Sequence, residues 1–342
     1  MHVAILGATG YSGTVLYGLL SQHPNVESIN LYGHEGGKGS RFFDNEVPAF
    51  STHLPILPFN PAEIMSHNDL LFCATPAGVT KNLVAPFIEA DFPVIDLSGD
   101  FRLKDPLIYK KWYNKEAAPS SLLSKSSYGL TEFPEKNTTK YIANPGCYAT
   151  ATLLGLAPLA IEHMIDPNSI IVDAKSGVSG AGKKLSTTSQ YNFINENAWL
   201  YKMNKHQHIP EIMQKLREWD SKIPAIQFST TLIPVTRGIM STIYLKPIKH
   251  YTNDEILTSF HKHYDNAPFV RFKENYLPAI KEVTGSNYCD IGVNYNPVTN
   301  TITIVSVIDN LMKGAAGQAV QNFNLFWNLT PTSGLPLLPV FP

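Results

Sequence analysis

Short apolar runs alternate with helix-like segments in the first half of the chain. The pattern predicts a buried strand at His2–Leu6 and a helix at Gly13–Gln22, which ends before Pro24. Further strands are predicted at Glu27–Tyr32, Leu70–Ala74 and Val94–Leu97. Because strands that alternate with helices are typical of parallel βαβ units, this half predicts an α/β domain with a doubly wound, Rossmann-type sheet.

The pattern changes after about residue 165, where longer strands follow one another closely. The predicted strands are Ser169–Ala174, Gln227–Pro234, Ser241–Pro247, Asp290–Tyr295 and Thr301–Val307, with helices at Glu211–Trp219 and Asn253–Tyr264. This favours an α+β domain with a largely antiparallel sheet. We expect domains at residues 1–146 and 147–312. A C-terminal segment at about 313–330, with an amphipathic helix at roughly Gly314–Trp327, is expected to pack back on the first domain.

Composition narrows the class of protein. The 342 residues suit two domains, and a net charge of -1 gives no basic surface for nucleic acid or an anionic membrane. No apolar run approaches the ~18 residues that span a bilayer, and the start HVAILGATG lacks the features of a signal peptide. Three cysteines without paired spacing do not indicate a disulfide framework. We therefore expect a cytoplasmic protein without nucleic-acid or membrane partners.

A glycine-rich turn, GATGYSG, lies between the first strand and the first helix. Gly7 and Gly10 allow a tight turn and close approach of the backbone to a pyrophosphate, and Gly13 lets the helix pack closely on the strand. The helix N-terminus then offers N–H groups and a partial positive charge to the phosphates. The turn predicts dinucleotide binding, although the spacing G-x-x-G-x-x-G is a variant of the usual one.

The choice between NAD and NADP stays open from the residues alone. An acidic side chain about twenty residues after the turn favours NAD, whereas a basic one favours the 2′-phosphate of NADP. The chain has Glu35 beside His34, Lys38 and Arg41.

The segment ANPGCYATATLLGLAPLAI contains the candidate nucleophile. Asn144 predicts an N-cap and Pro145 a first helical position, so Cys147 would lie in the first turn of a helix. Such a position lowers the pKa of a thiol from about 8.5 toward roughly 3.5–7.5. The thiolate can hold an acyl group as a thioester and expose it to hydride. Cys73 and Cys289 stand in apolar, strand-like runs, which favours a packing role.

Two histidines stand just before a predicted helix that begins at Pro210. His206 and His208 are two residues apart, so on an extended segment both would face one side. A zinc site needs three or four ligands, and no suitably spaced partner lies nearby, so we predict no metal. A helix N-terminus keeps a histidine neutral and able to exchange protons near pH 7. His208 is the predicted general acid–base, with His206 as the alternative.

A second glycine-rich loop, SGVSGAGKK, follows the strand at Ser169–Ala174. Gly177–Lys183 matches G-x-x-x-x-G-K, but Lys184 stands where a Walker A loop needs Ser or Thr for magnesium. Glycines with cations still suit a phosphoryl group. Arg237, between two predicted strands, can hold a phosphate or carboxylate through its planar guanidinium.

Two other functions fit parts of the chain. Tyr201 and Lys205 form Y-x-x-x-K, with Ser189 upstream, as in extended short-chain dehydrogenases that reduce ketones. This short pattern arises easily by chance and leaves the cysteine unexplained. A non-enzymatic dinucleotide sensor would bind the cofactor without turnover.

Nine motifs together resemble the N-acetyl-gamma-glutamyl-phosphate reductase family (type 1), in the wider aspartate-semialdehyde dehydrogenase-like group. They are GATGYSG (Gly7–Gly13), VIDLSGDFRL (Val94–Leu103), YGLTEF (Tyr128–Phe133), ANPGCYATA (Ala143–Ala151), SGVSGAGK (Ser176–Lys183), NEN (Asn195–Asn197), HQHIPEI (His206–Ile212), TLIPVTRG (Thr231–Gly238) and IDNLMKGAAGQAVQN (Ile308–Asn322). The resemblance extends over essentially the whole chain. Ile239 and Met240 stand where relatives that act on aspartyl phosphate carry a catalytic histidine, which favours an acetylglutamyl substrate.

The resemblance implies NADPH as the reductant, Cys147 as the nucleophile, His208 as the proton donor and acceptor, and a homodimer or homotetramer. The residues predicted to bind the cofactor are Gly7, Thr9, Gly10, Tyr11, Ser12, Gly13, His34, Lys38, Ser98, Gly180 and Asn310. Those predicted to bind the substrate are Ser179, Lys183, His206, Glu211, Arg237 and Arg102.

The expected reaction reduces N-acetyl-L-glutamyl 5-phosphate to N-acetyl-L-glutamate 5-semialdehyde and phosphate through a cysteine thioester, in arginine biosynthesis. The residues do not separate this acyl phosphate from a homologue such as aminoadipyl or aspartyl phosphate, because pocket shape decides chain length.

Overall fold

A computed structural model describes residues 1–33, 41–136 and 138–340. Its strands are β1 (His2–Leu6), β2 (Ser28–Gly33), β3 (Ile56–Pro58), β4 (Leu70–Cys73), β5 (Val94–Asp96), β6 (Ser126–Tyr128), β7 (Tyr141–Ala143), β8 (Ile171–Ser176), β9 (Trp199–Tyr201), β10 (Gln227–Leu232), β11 (Ile239–Leu245), β12 (Val270–Lys273), β13 (Cys289–Asn296) and β14 (Thr301–Ile308). Its α-helices are α1 (Tyr11–Leu20), α2 (Phe43–Glu46), α3 (Pro61–His67), α4 (Ala85–Glu89), α5 (Pro106–Tyr113), α6 (Ser120–Leu123), α7 (Cys147–Ile161), α8 (Tyr191–Ile194), α9 (His208–Trp219), α10 (Asn253–Tyr264) and α11 (Gly317–Phe326).

The first of two compact units comprises Met1–Pro145 and Ala315–Leu335. Its seven strands form one parallel sheet in the order β3-β2-β1-β4-β5-β7-β6. The central strand β1 is buried from Val3 to Leu6, as expected for a parallel strand covered by helices on both faces. The order reverses beside β1, which is the topology of a doubly wound sheet, so the Rossmann-type prediction is confirmed.

The second unit comprises Gly146–Gly314 together with the C-terminal residues from Pro336. Its sheet has the order β12-β13-β14-β11-β8-β10-β9. The pairs β12–β13 and β8–β10 are parallel and the other four are antiparallel, so the predicted largely antiparallel sheet is also confirmed.

The helix α7 forms the centre of the second unit. Every residue from Tyr148 to Ala160 is buried, and α7 packs against β11, β14, α9 and α10. Burial on all sides explains why this segment is apolar without helical periodicity. In the described ranges, no helix is both long enough and apolar enough to cross a membrane.

The predicted amphipathic helix near the C-terminus differs from the observed one. A π-helical turn at Met312–Ala316 precedes α11, and α11 is buried from Gly317 to Asn324. Its polar side chains bond to neighbouring loops: Gln318 donates to Oγ1 of Thr131 at 2.9 Å, and Asn322 donates to the carbonyl of Gly129 at 2.9 Å. The amphipathic interpretation was therefore wrong, because these polar groups satisfy buried partners instead of facing water.

Candidate active site

The glycine turn between β1 and α1 has the shape that a pyrophosphate requires. Gly7 has a φ of +92°, and a Cβ there would lie 2.7 Å from the carbonyl oxygen of Ala74. A Cβ on Gly13 would overlap with the Gly7 carbonyl and lie 2.8 Å from Cα of Ala8. The first-turn amides of α1, which begins at Tyr11, have no partners within the helix itself. The turn therefore fits a dinucleotide, since the main chain can approach it closely.

The residues expected to distinguish NAD from NADP are only partly described. His34 and Lys38, predicted to bind the cofactor, lie outside the described residues, as does Glu35. Arg41 is described, and its Nε donates to Oε1 of Glu46 at 2.7 Å. This basic side chain therefore pairs with a carboxylate of its own unit.

Ser98 and Arg102 stabilise the loop that follows β5. The N–H and the Oγ of Ser98 each donate to a carboxylate oxygen of Asp96 at 2.8 Å, and burial raises the pKa of Asp96 to about 6. Arg102 donates from Nε to the carbonyl of Asn144 at 2.8 Å and from Nη2 to the carbonyl of Leu97 at 2.7 Å. The described contacts of both side chains are thus with protein groups, and their roles with cofactor and substrate stay predictions.

Cys147 is the first residue of α7 and is partly exposed. The N-cap is Gly146, which has no side chain to cap the helix, and the N–H of Gly146 donates to Oε1 of Glu211 at 2.7 Å. The carbonyl of Gly146 accepts the N–H of Thr150 at 2.8 Å, which starts the helix. The thiol therefore stands at a helix N-terminus, where N–H groups and the helix dipole stabilise a thiolate.

The predicted Asn144 N-cap was wrong. The helix begins two residues later than that cap requires, because Gly146 is extended and gives its N–H to Glu211. The amide of Asn144 instead donates to the carbonyl of Ala315 at 3.1 Å and accepts from Asn322 at 3.0 Å within the first unit. Cys147 thereby stands at the first helical position.

The two histidines of HQHIPEI lie in a buried aromatic cluster. Their ring centroids are 4.7 Å apart, and the ring of Tyr148, the residue after Cys147, meets His206 edge-on at 5.1 Å. Nδ1 of His206 accepts the backbone N–H of His208 at 3.2 Å. Burial, with a smaller contribution from His208, lowers the pKa of His206 to about 2. His206 is therefore neutral near pH 7, which leaves His208 as the candidate for proton exchange.

The helix that carries the histidines begins earlier than expected. The sequence predicts a start at Pro210, whereas α9 begins at His208 and contains Pro210 in its first turn, where proline is tolerated. His208 consequently occupies the first position of α9 as Cys147 occupies the first position of α7. Glu211, one turn into α9, connects the two helix starts through its bond to Gly146.

Asn310 joins the two candidate anion loops of the second unit. Its Nδ2 donates to Oγ of Ser179 at 2.9 Å, and its Oδ1 accepts the N–H of Gly238 at 2.7 Å. The preceding Arg237 has Nη1 at 3.5 Å from the buried carboxylate of Asp309 and keeps about a third of its side chain exposed (34%). The side-chain amide of Asn310 thus connects Ser179 with the turn that contains Arg237, through its nitrogen on one side and its oxygen on the other.

The remaining residues of the SGVSGAGKK loop have a different setting. Val178–Ala181 forms a 3₁₀ turn after β8, and a Cβ on Gly180 would lie 3.0 Å from Oγ of Ser176. Lys183 and Lys184 are exposed beyond it. A Walker A loop leads from a strand directly into an α-helix, so this loop does not have that architecture.

Tyr201, which suggested ketone reduction, is bound inside the second unit. Its hydroxyl lies 2.8 Å from that of Tyr148, and burial raises the pKa of Tyr201 to about 12. A tyrosine acid in a ketoreductase needs the opposite shift to give up its proton near neutral pH. The Y-x-x-x-K interpretation therefore has no support from this geometry.

Sequence reasoning missed two site residues. Tyr148 contacts both histidine rings, at 5.1 and 6.1 Å, and Asp309 faces Arg237. Both residues lie in motifs of the family resemblance, next to Cys147 and Asn310, and this proximity was the only sequence feature that pointed to them. Among residues 1–33, 41–136 and 138–340, no group of three or more His, Cys, Asp and Glu side chains is arranged to hold a metal ion.

Two family models match the chain. Residues 2–141 match the semialdehyde dehydrogenase NAD binding domain, and residues 147–310 match the semialdehyde dehydrogenase dimerisation domain. Together they cover most of the sequence.

Solved structures share the fold at low sequence identity. Aspartate semialdehyde dehydrogenase II of Vibrio cholerae, complexed with ASA, has a TM-score of 0.69 at 18% identity and covers 96% of this chain and 98% of its own. Aspartate semialdehyde dehydrogenase with NADP from Candida albicans has a TM-score of 0.63 at 15% identity, covering 95% and 98%.

Curated sequences are much more similar. N-acetyl-gamma-glutamyl-phosphate reductase 2 of Lactiplantibacillus plantarum is 55% identical over 342 residues, with both chains covered completely. The N-acetyl-gamma-glutamyl-phosphate reductase of Listeria monocytogenes is 55% identical over 349 residues, also with complete coverage of both. The chain therefore belongs to the N-acetyl-gamma-glutamyl-phosphate reductase family of the semialdehyde dehydrogenases.

Proposed function

We propose that this protein reduces N-acetyl-L-glutamyl 5-phosphate to N-acetyl-L-glutamate 5-semialdehyde and phosphate with NADPH, as a step of arginine biosynthesis. The names of the full-length relatives give the substrate, and the glycine turn gives the class of cofactor. The observation that carries the proposal is the start of α7, where Cys147 follows a turn bound by Glu211 of the histidine-bearing helix.

The reaction begins at the sulfur of Cys147. The thiolate attacks the acyl carbon, a carbon–sulfur bond forms, and the bond to the phosphate oxygen breaks, so that inorganic phosphate leaves. Ser179, Lys183 and Arg237 hold the phosphoryl group. The exposed third of the Arg237 side chain supports this role, because a guanidinium can bind phosphate through two parallel N–H bonds.

The reduced nicotinamide, when bound, supplies the hydride that converts the thioester carbonyl to an oxyanion. His208 gives its proton to this oxygen and takes it back as the hemithioacetal breaks into the aldehyde and the thiolate. Such acid–base assistance typically contributes about 10²–10⁴ in rate.

The cofactor is NADP(H), and the residues that bind it are proposed from the sequence motifs. We assign this role to Gly7, Thr9, Gly10, Tyr11, Ser12, Gly13, His34, Lys38, Ser98, Gly180 and Asn310. A related aspartate semialdehyde dehydrogenase was solved with NADP, which supports NADP(H) over NAD(H).

Three predicted substrate ligands have contacts that favour a positioning role. His206 accepts the His208 amide, Glu211 accepts the Gly146 amide and is 1% exposed, and Arg102 donates to backbone carbonyls. Each holds a chain segment at the start of α7 or α9, or in the loop after β5. Direct contact of these three with the substrate stays a prediction.

The remaining proposals concern the domains, the assembly and the location of the protein. We propose domains at residues 1–146 and 147–312, with the segment at about 313–330 belonging to the first. The second domain carries the contacts of a homodimer or homotetramer, in line with its match to a dimerisation domain. The enzyme acts in the cytoplasm, where a reducing environment keeps the thiol available.

The reverse reaction tests the proposal. Cys147→Ser should abolish phosphate-dependent reduction of NADP by N-acetylglutamate semialdehyde, because an alkoxide does not form at this position near neutral pH. Cys289→Ala is the matched control, since Cys289 is fully buried in β13 and should leave turnover nearly intact. Full activity of Cys147→Ser would disprove the mechanism.

The same assay separates the alternatives. The semialdehyde homologues from aspartate and aminoadipate should react more slowly, and NAD should be the poorer oxidant. A faster homologue would reassign the substrate. Tight binding of NADP without turnover of any semialdehyde would indicate a dinucleotide sensor instead.

A further inference from the structure

Gly314, at the end of the second unit, lies directly against the proposed nucleophile. A Cβ on Gly314 would stand 2.8 Å from Cβ of Cys147, closer than two such atoms approach in proteins. It would also lie 3.2 Å from Cδ1 of Ile308. We propose that Gly314 is a positioning residue, whose missing side chain fixes where the sulfur of Cys147 stands. This inference rests on the proposed role of Cys147.

The backbone at Gly314 does not itself require glycine. The described glycines with positive φ are Gly7, Gly78, Gly182, Gly238, Gly285 and Gly334. Because Gly314 is outside this group, an alanine could adopt its torsion angles. The reason for glycine at this position is therefore space beside the cysteine.

Hydrogen bonds hold the segment that carries Gly314 in place. Its N–H donates to the carbonyl of Asp309 at 3.0 Å, which closes the wide turn of the π-helix. The carboxylate of Asp309 is fully buried and accepts the N–H groups of Leu311 at 2.8 Å and Met312 at 3.2 Å. It also accepts the N–H of Gly285 at 2.8 Å, so the turn is tied to a second loop.

The start of α7, which carries the cysteine, is also held by its surroundings. The Cβ of Cys147 is bonded to the main chain at the first residue of α7, so no change of rotamer displaces it. The N–H of the preceding Gly146 is held by Glu211 at 2.7 Å, and the helix behind is buried from Tyr148 to Ala160. An added methyl group at position 314 would therefore shift the start of α7 itself.

Such a shift acts on catalysis more than on binding. Displacement of a reacting atom by about 1 Å can cost ~100-fold in rate. A displacement of a few tenths of this distance should lower the rate by a smaller but measurable factor. We expect Gly314→Ala to lower kcat by at least ~10-fold, with a smaller change in KM and with the Kd for NADP unchanged. The rate at which iodoacetamide alkylates Cys147, and its dependence on pH, should change as well.

The matched control is Gly155→Ala, in the helix α7 that carries Cys147. A Cβ there would lie 2.9 Å from Cδ1 of Ile243, so the local crowding is similar, but two turns away from the sulfur. This variant should keep the alkylation profile of the wild type. Ile308→Val combined with Gly314→Ala removes the contact with Cδ1 and should not restore activity, because the contact with Cys147 persists.

Asp309→Asn provides a second route if Gly314→Ala does not fold. It adds no atom beside the cysteine but replaces an acceptor of the turn with an amide, so the alkylation rate should again change. Wild-type alkylation profiles in both Gly314→Ala and Asp309→Asn, or rescue by Ile308→Val, would overturn the inference. Activity retained by Cys147→Ser would instead overturn the proposed function, so the two failures are distinguishable.

Discussion

The helix starts of α1 and α7, where we propose the cofactor phosphates and the nucleophile, are built differently. The packing of the turn before α1 on its own helix is local, because a Cβ on Gly13 would meet the carbonyl of Gly7 and Cα of Ala8 a few residues away. The start of α7 is shaped by residues from much later in the chain, since Glu211 binds Gly146 and Gly314 packs on Cys147. The close contact that Gly13 allows therefore lies within one short segment, whereas the position of the proposed nucleophile depends on contacts between distant segments.

The largest expected effect comes from a substitution in the glycine turn of the first unit, and it is on NADP affinity. Gly13→Ala places a methyl group onto the Gly7 carbonyl and should weaken NADP binding by at least ~100-fold, or about 2.7 kcal/mol. The alkylation rate of Cys147 should stay unchanged, because the cysteine does not depend on this turn. Fluorescence titration of NADPH and iodoacetamide kinetics measure the two quantities.

Gly18→Ala is the control for this variant. Gly18 lies in the same helix, and a Cβ there would meet Cζ of Phe50 at 3.5 Å, an ordinary contact. It should bind NADP as the wild type does. A Gly13→Ala enzyme with wild-type affinity would show that the turn does not hold the dinucleotide.

The buried histidine cluster near the starts of α7 and α9 predicts a smaller effect, on the free energy of unfolding. The folded state keeps His206 neutral with a pKa of about 2, whereas the unfolded chain takes up a proton below its ordinary pKa of 6.5. The stability that depends on neutral His206 is present above pH 6.5 and is lost as the pH falls below it. The slope is at most ~1.4 kcal/mol per pH unit.

His206→Asn tests this slope. The amide oxygen of asparagine can accept the His208 N–H that Nδ1 accepts now, but it does not titrate. Urea unfolding at a series of pH values should therefore give a flatter dependence below pH 6.5 than in the wild type. Identical slopes would mean that His206 becomes charged in the folded protein.

Regular elements with strong local signals were predictable. The strand β1 and the helix α10 have the predicted bounds, because one is a continuous apolar run and the other has a capping box at Thr252 and Glu255. The strand β8 begins two residues later than predicted, at Ile171. The short strands β3, β6, β7, β9 and β12 were not predicted, since three or four residues carry little pattern. The equally short β5 was predicted from the apolar run that begins at Val94.

The sequence indicated candidate residues of the site but not how the structure holds them. The capping context pointed to Cys147, yet the N-cap is Gly146, because a carboxylate from α9 holds its N–H. The sequence favoured His208 over His206, and the structure adds the low pKa of His206 and the hydrogen bond that its Nδ1 accepts from the N–H of His208. These distinctions depend on contacts between distant segments, which one sequence does not reveal.

The central claim is that Cys147 carries the acyl group. The most direct measurement is to mix the enzyme with N-acetylglutamyl 5-phosphate in the absence of NADPH, quench in acid, and map the digest by mass spectrometry. We predict an N-acetylglutamyl thioester on the peptide that contains Cys147, removable by hydroxylamine, with release of inorganic phosphate. An unmodified Cys147 in an enzyme batch that turns over normally once NADPH is added would contradict the account.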